Sequence, residues 1–293
     1  MTEQQRRRAR VSSGELSVLD VGHPDAPAVV LLHGYPTSSF LWRSFVPTLA
    51  TEMRVIAPDL LGAGDSDRPS DAAIDAAAQT AYLRELLRSL DVSRFAAIGH
   101  GDGATVAQLL AVGGDVDALV LIDSAGAGAS PAAAIERSVP AARGDAGRVI
   151  DQALRRGSAR PERVSDEAIR AYARPFDGPE GASALARWAA AAATYPPGLD
   201  AELADVEAPT LLLWGEDDPF VTTDVADRLN ERIATSSLAL LPGCGHFLPE
   251  EAATTIVPLV AQWLAGRYLG RTHSHASGPV PIRLDPRRSE AGA

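Results

Sequence analysis

Phe95-Ala-Ala-Ile-Gly-His-Gly-Asp-Gly-Ala104 is a short apolar strand, a glycine-rich sharp turn and the opening of a helix. In a G-x-S-x-G turn of this kind the middle residue is the attacking serine, held on a strained bend so that its oxygen stands clear of the backbone. Between Gly99 and Gly103 that slot holds Gly101, which has no side chain to attack with. Asp102 follows it and opens the helix, where a carboxylate is favoured by the helix N-terminus. Sliding the frame by one would make Asp102 the nucleophile, but Gly99 and Gly103 would then leave their flanking places.

Outward from this turn the chain alternates strands and helices. Ala28–Leu32 is a continuous apolar run, as a strand buried on both faces of a parallel sheet requires. Residues 54–57, 95–98, 118–122, 210–214 and 238–241 repeat that texture. Helical patterns occupy residues 76–90, 104–112, 223–233 and 252–268 between and after them. Such alternation predicts right-handed crossovers onto one mainly parallel sheet. Residues 15–20 alternate polar with apolar, which predicts an antiparallel or mixed edge strand. From 126 to 205 the rhythm stops: alanine, arginine and proline dominate, and helices such as 161–174 and 181–194 are expected. This reads as a helical cap inserted into a core made of residues 11–125 and 206–270. Residues 1–10 and the polar, proline-rich 271–293 read as disordered tails, with His273 and His275 in the latter.

Composition bounds the chemistry. The 293 residues are 46% hydrophobic, enough for one large domain with an insertion. The net charge is −11 and every basic residue is arginine, which excludes a lysine Schiff base and the lysine of a phosphate-binding loop. An acidic chain gains nothing from counterion release, so no nucleic-acid surface is expected. Arg6-Arg7-Arg8 precedes no apolar run and no segment is long enough to span a bilayer, so neither a secretory signal nor a membrane partner is expected. A single cysteine, Cys244, suits a reducing cytoplasm.

Five separated motifs then carry a resemblance. They are Leu32-His-Gly-Tyr-Pro-Thr-Ser-Ser-Phe-Leu-Trp-Arg43, Ala57-Pro-Asp-Leu-Leu-Gly-Ala-Gly-Asp-Ser-Asp67, Gly99-His100 with Gly103, Leu213-Trp-Gly-Glu-Asp-Asp-Pro219 and Pro242-Gly-Cys-Gly-His-Phe247. Together, over residues 11–269, they resemble the α/β-hydrolase superfamily, nearest its haloalkane dehalogenase and epoxide hydrolase branch. The resemblance implies an α/β-hydrolase fold with a cap. It implies Asp218 as acid and His246 as base, with Asp217 an adjacent alternative and Asp123, after a core strand, a reserve acid. It also implies an oxyanion hole from the amides of Tyr35 and Asp102 around His33-Gly34, the His33 side chain fixing the loop. His100, Trp188, Tyr172 and Tyr195 are candidates to line the substrate, the three cap aromatics serving equally well as core. The departure is Gly101, where that branch has aspartate and esterases have serine. Tyr35 and Asp102 also stand where dehalogenases carry their halide-binding groups, which argues against haloalkane chemistry.

Two readings follow. In the first, His246 held by Asp218 works as a general base, without covalent catalysis or cofactor, on an apolar carbonyl-bearing small molecule such as a polyketide-like or aromatic metabolite. The reaction would be addition, elimination, cyclisation or carbon–carbon bond change. In the second, the chain is a catalytically silent binder of a small molecule. Hydrolysis through Asp102, in the epoxide-hydrolase manner, and a remote route through Cys244 stay as variants, and a homodimer is left open.

Overall fold

The computed structural model describes residues 6–126, 128–139 and 145–270. One eight-stranded sheet runs in the order β1-β2-β4-β3-β5-β6-β7-β8. The strands are β1 Arg6–Val11, β2 Gly14–Val21, β3 Ala28–Leu32, β4 Arg54–Pro58, β5 Phe95–His100, β6 Val116–Ile122, β7 Thr210–Gly215 and β8 Ser236–Leu241. β2 pairs antiparallel with β1 and β4; every other pairing is parallel. The central strands are buried along their whole length, β3 and β5 at every residue, because helices cover both faces. Those apolar runs are the ones that the sequence displays.

The outermost strand departs from expectation. Arg6–Val11 is β1, so residues 6–10 are sheet and not a disordered tail, and the strand at 14–21 lies one place in from the edge. Arginine suits an edge, where one rim of the strand faces water and charge discourages further pairing. Its side chains find carboxylates: Arg6 reaches Asp59 at 3.1 Å, Arg7 reaches Asp20 at 2.6 Å and Arg8 meets Asp67. The segment 271–293, with His273 and His275, lies outside the described residues.

The helices are α1 Val46–Leu49, α2 Ala76–Ser89, α3 Gly103–Val112, α4 Pro131–Ser138, α5 Ala146–Gly157, α6 Asp166–Ala173, α7 Gly181–Ala192, α8 Leu199–Glu202, α9 Thr223–Arg232, α10 Leu248–Glu251 and α11 Ala253–Leu264. Helices α4 to α8 fall between β6 and β7, in the segment where the sequence loses its strand signal. Caps set their starts: Asp75, Ser130, Asp145 and Ser165 each accept a bond from the first turn of α2, α4, α5 and α6. The predicted helix 161–174 is broken into a short 3₁₀ turn and α6, because Ser165 restarts the helix. Among the described residues no helix is long and apolar enough to cross a membrane.

This topology gathers function at one rim. The C-terminal ends of β3, β5, β6, β7 and β8 bring His33-Gly34-Tyr35, the glycine turn, Asp123, Asp218 and His246 to one rim, where the first two groups line a small crevice and the last three are buried. Open sheets of this kind bind ligands at that rim.

Candidate active site

The turn after β5 is built from three glycines with different duties. Gly101 sits at φ +56° at the apex, with its N–H donated to Ile122 O at 3.0 Å. The left-handed conformation costs an L side chain about 1–2 kcal/mol, and glycine nothing. Gly99 and Gly103 lie against backbone: a Cβ at Gly103 would stand 2.3 Å from the His33 carbonyl oxygen, and one at Gly99 2.5 Å from the Ala104 Cα. A Cβ at Gly101 would instead meet His246 Nε2 at 3.4 Å, ordinary contact. The apex is therefore the one of the three with room for a side chain, on the side that faces His246.

His246 faces it from the β8 side. Its Nδ1 donates to Asp218 Oδ2 at 2.8 Å, both side chains being fully buried. Asp218 is itself held, Oδ1 accepting from Phe220 N at 2.8 Å and Val221 N at 3.0 Å. That fixes the imidazole tautomer and leaves Nε2, which has no hydrogen-bond partner, turned toward Gly101. Asp217 is exposed. Asp123 is buried, but its Oδ1 accepts from Gly215 N at 2.8 Å rather than from the imidazole, and burial beside Asp218 drives its carboxyl far above the usual range. The imidazole is thus oriented by Asp218, and the reserve acid is not its partner.

The profile of the Alpha/beta hydrolase family matches residues 29–259. The chain belongs to the alpha/beta hydrolase family. As an enzyme of this α/β-hydrolase fold it is 29% identical, over 86% of its length and 93% of the relative's, to the 2-hydroxy-6-oxo-2,4-heptadienoate hydrolase of Pseudomonas putida F1. It is 27% identical, over 89% of its length and 94% of the relative's, to a haloalkane dehalogenase of Bradyrhizobium diazoefficiens. Among solved structures, the 2-hydroxy-6-oxo-6-phenylhexa-2,4-dienoate hydrolase of a Rhodococcus species is similar with a TM-score of 0.76 at 22% identity. That match covers 89% of this chain and 98% of the other, and speaks for the fold.

The remaining candidates of this α/β-hydrolase separate cleanly. Gly34 packs so close to the turn that a Cβ there would lie 2.6 Å from His100 O and 3.0 Å from Asp102 N, which brings the Tyr35 and Asp102 amides to the same side. Neither amide donates to a backbone carbonyl among the described residues, and the Asp102 N–H lies against its own carboxylate. His33 holds the loop, its Nε2 accepting from Leu60 N at 3.0 Å. His100 does not face a substrate. Its ring is buried beneath His246, burial lowers its pKa to about 3, and the neutral ring donates from Nε2 to His246 O at 2.8 Å. Trp188 does reach the crevice, edge-on to Tyr35 at 5.1 Å and to His33 at 5.8 Å. Tyr172 does not: its hydroxyl donates to Glu250, which also grips Arg43, so it ties α6 to α10. Tyr195 donates to Gln108 at 3.0 Å and contacts Asp200 at 2.9 Å, on the wall of a separate cleft of about 470 Å³. Cys244 is a buried thiol pushed up to about 11, unsuited to attack.

Asp102, Tyr35, His33 and Trp188 enclose a cavity of about 20 Å³, room for one water-sized guest. The Asp102 carboxylate accepts from Ser130 Oγ at 3.0 Å and from Ala132 N at 3.0 Å, at the start of α4, so the turn and the insertion are joined there. Ser130 and the ring of Phe220, 5.6 Å from His246, were not legible as site residues. Ser130-Pro131 does carry a helix-start signal, yet its partner lies 28 positions away.

Burial raises Asp102 to about 7. An acid raised in the folded state and near 3.8 when unfolded keeps its proton longer in the fold, so stability falls as pH climbs from about 4 to about 7 and levels off above. Asp102→Asn keeps both contacts, accepting from one partner and donating to Ser130. Urea unfolding at pH 5, 6 and 7 is expected to show a native slope steeper by up to about 1.4 kcal/mol per pH unit than that of Asp102→Asn. Equal slopes would show that Asp102 is ionised throughout.

Proposed function

We propose that this chain is a cofactor-independent α/β-hydrolase-fold enzyme that works without a covalent nucleophile, His246 acting as general base on an apolar, carbonyl-bearing small molecule. The observation that carries this reading is the unpartnered His246 Nε2, 3.4 Å from where a Gly101 side chain would begin, facing bare backbone. Nε2 takes a proton from the carbon next to the substrate carbonyl, or from a water. The electron pair moves onto the carbonyl oxygen, which accepts hydrogen bonds from the Tyr35 and Asp102 amides. Asp218 stabilises the imidazolium that results. The Asp102 carboxyl, raised to about 7 by burial, lines the small cavity beside Tyr35 and Trp188 and is the candidate second acid. Later return of the proton to another atom of the substrate gives addition, elimination, cyclisation or carbon–carbon bond change.

The relatives' activities support a carbonyl substrate, since the Pseudomonas putida relative is named for an oxo-dienoate. The test is solvent exchange. Apolar ketones and 1,3-diketones incubated with the protein in deuterium oxide are expected to gain deuterium beside the carbonyl. His246→Ala is expected to slow that exchange by about 10²–10⁴-fold. Exchange that survives His246→Ala would defeat the base assignment. The small size of the central cavity, about 20 Å³, favours one other reading, a silent binder that uses the larger clefts. It predicts saturable binding with no exchange.

A further inference from the structure

Beyond the central cavity, the seam between core and insertion holds a cleft of about 540 Å³, within the range that small molecules occupy. Arg68 on the core side and Arg187 of α7 line it, with Phe176, Pro175 and Pro179 as apolar wall. Both arginines are half-buried, and among the described residues each donates only to a backbone carbonyl, Arg68 to Gly64 O and Arg187 to Pro69 O. Arg68 lies over the Phe176 ring at 5.1 Å, and its Nε, buried, has no partner. The carboxylates nearest Arg68 are engaged elsewhere: Asp59 with Arg6, Asp65 with Arg174 and Asp67 with Arg8. Asp177 and Glu180 stand on the cleft's rim but are exposed, so water screens them more than it screens the two cations.

We propose that this cleft binds an aromatic or apolar carboxylate. The anion takes the spare N–H groups of Arg68 and Arg187, whose planar forks match a carboxylate, while the apolar body lies on Pro175 and Pro179 beside the buried Phe176. Lysine would not serve here, and the chain has none. Phe176 stacks on Trp188 at 6.0 Å with their planes 11° apart, so one aromatic layer separates the cleft from the cavity beside Tyr35 and His33. Helix α7 thus shows Arg187 to the outer cleft and Trp188 to the inner cavity. The site stands whether or not His246 acts as a base.

Calorimetric titration with naphthalene-1-carboxylate is the test, using the full chain. One molecule per chain is expected to bind, and naphthalene-1-carboxamide, which keeps the shape without the charge, to bind at least tenfold more weakly. Arg68→Gln and Arg187→Gln, each checked for native circular dichroism, are expected to weaken the carboxylate by tenfold or more, with His246→Ala unchanged. Absence of binding at millimolar ligand, equal affinity for the amide, or arginine variants that bind as well as native would overturn the site. Inorganic phosphate competing as strongly as the naphthoate would overturn its apolar half. Should one arginine variant not fold, the other and the charge comparison decide.

Discussion

Gly101→Ser is expected to take a single fluorophosphonate label per molecule, where the native chain is expected to take none. The reasoning starts from the position of the missing Cβ. Built on the native backbone, it lies 3.4 Å from His246 Nε2, 3.8 Å from His246 Cε1 and 3.9 Å from the Gly34 Cα, its nearest atoms beyond the adjoining residues. A hydroxyl one bond further on falls within hydrogen-bond reach of the imidazole, which Asp218 already holds in the accepting tautomer. The imidazole then removes the hydroxyl proton as oxygen attacks phosphorus and fluoride leaves, and the phosphoryl oxygen sits near the Tyr35 and Asp102 amides. The cost is strain at φ +56°, about 1–2 kcal/mol, which lowers the melting temperature without unfolding the chain. Intact-mass and peptide mapping read the result. A native chain labelled one-to-one would reveal an existing nucleophile and end the covalent-free reading. A folded variant that stays unlabelled would show that position 101 does not face the base. Turnover of the true substrate need not rise, because the new side chain takes the space which that substrate requires.

What could be read from sequence follows what a local pattern can encode. The buried strands are legible because two-sided burial forces an unbroken apolar run, as Ala28–Leu32 displays. β1 is not, because an edge strand of arginines is stabilised by Asp20, Asp59 and Asp67, residues remote in sequence, and a run of arginine has no periodicity to give it away. The dyad is legible through the turns that carry it: Asp218 and His246 lie 28 positions apart, yet each follows a core strand at a characteristic bend. Roles that depend on where a side chain turns were not. His100 reads as a neighbour of the apex, but along a strand alternate residues face opposite ways, and its ring goes under the His246 loop. Tyr172 and Trp188 look alike as aromatics on apolar helix faces. Only the packing of α6 on α10 and of α7 over Tyr35 sends one to Glu250 and the other to the crevice.

Gly103→Ala is expected to abolish folding, and the contrast with Gly101 is what fixes the frame of the turn. A methyl group at Gly103 would lie 2.3 Å from the His33 oxygen and 2.6 Å from both the His33 carbonyl carbon and the Leu32 oxygen. All three are backbone atoms at the end of β3, a central strand paired on both sides, so no side chain can swing away to relieve the clash. Either α3 moves off the sheet, losing contacts of a helix buried on nearly every side, or β3 bends out of register. Costs above about 4 kcal/mol arise from clashes of this kind, a large share of the whole stability of a domain. Gly266→Ala is the control: nothing lies within 4 Å of its new methyl, and its change in stability should stay within about 1 kcal/mol. Circular dichroism and urea melts of the two variants decide. If Gly103→Ala melted like Gly266→Ala, the flanking glycines would be free to slide, and a frame with Asp102 at the tip would become open. If it fails to fold, close packing on both flanks leaves position 101 alone at the tip, so the way α3 meets β3 sets which residue stands at the apex, where a side chain would fit.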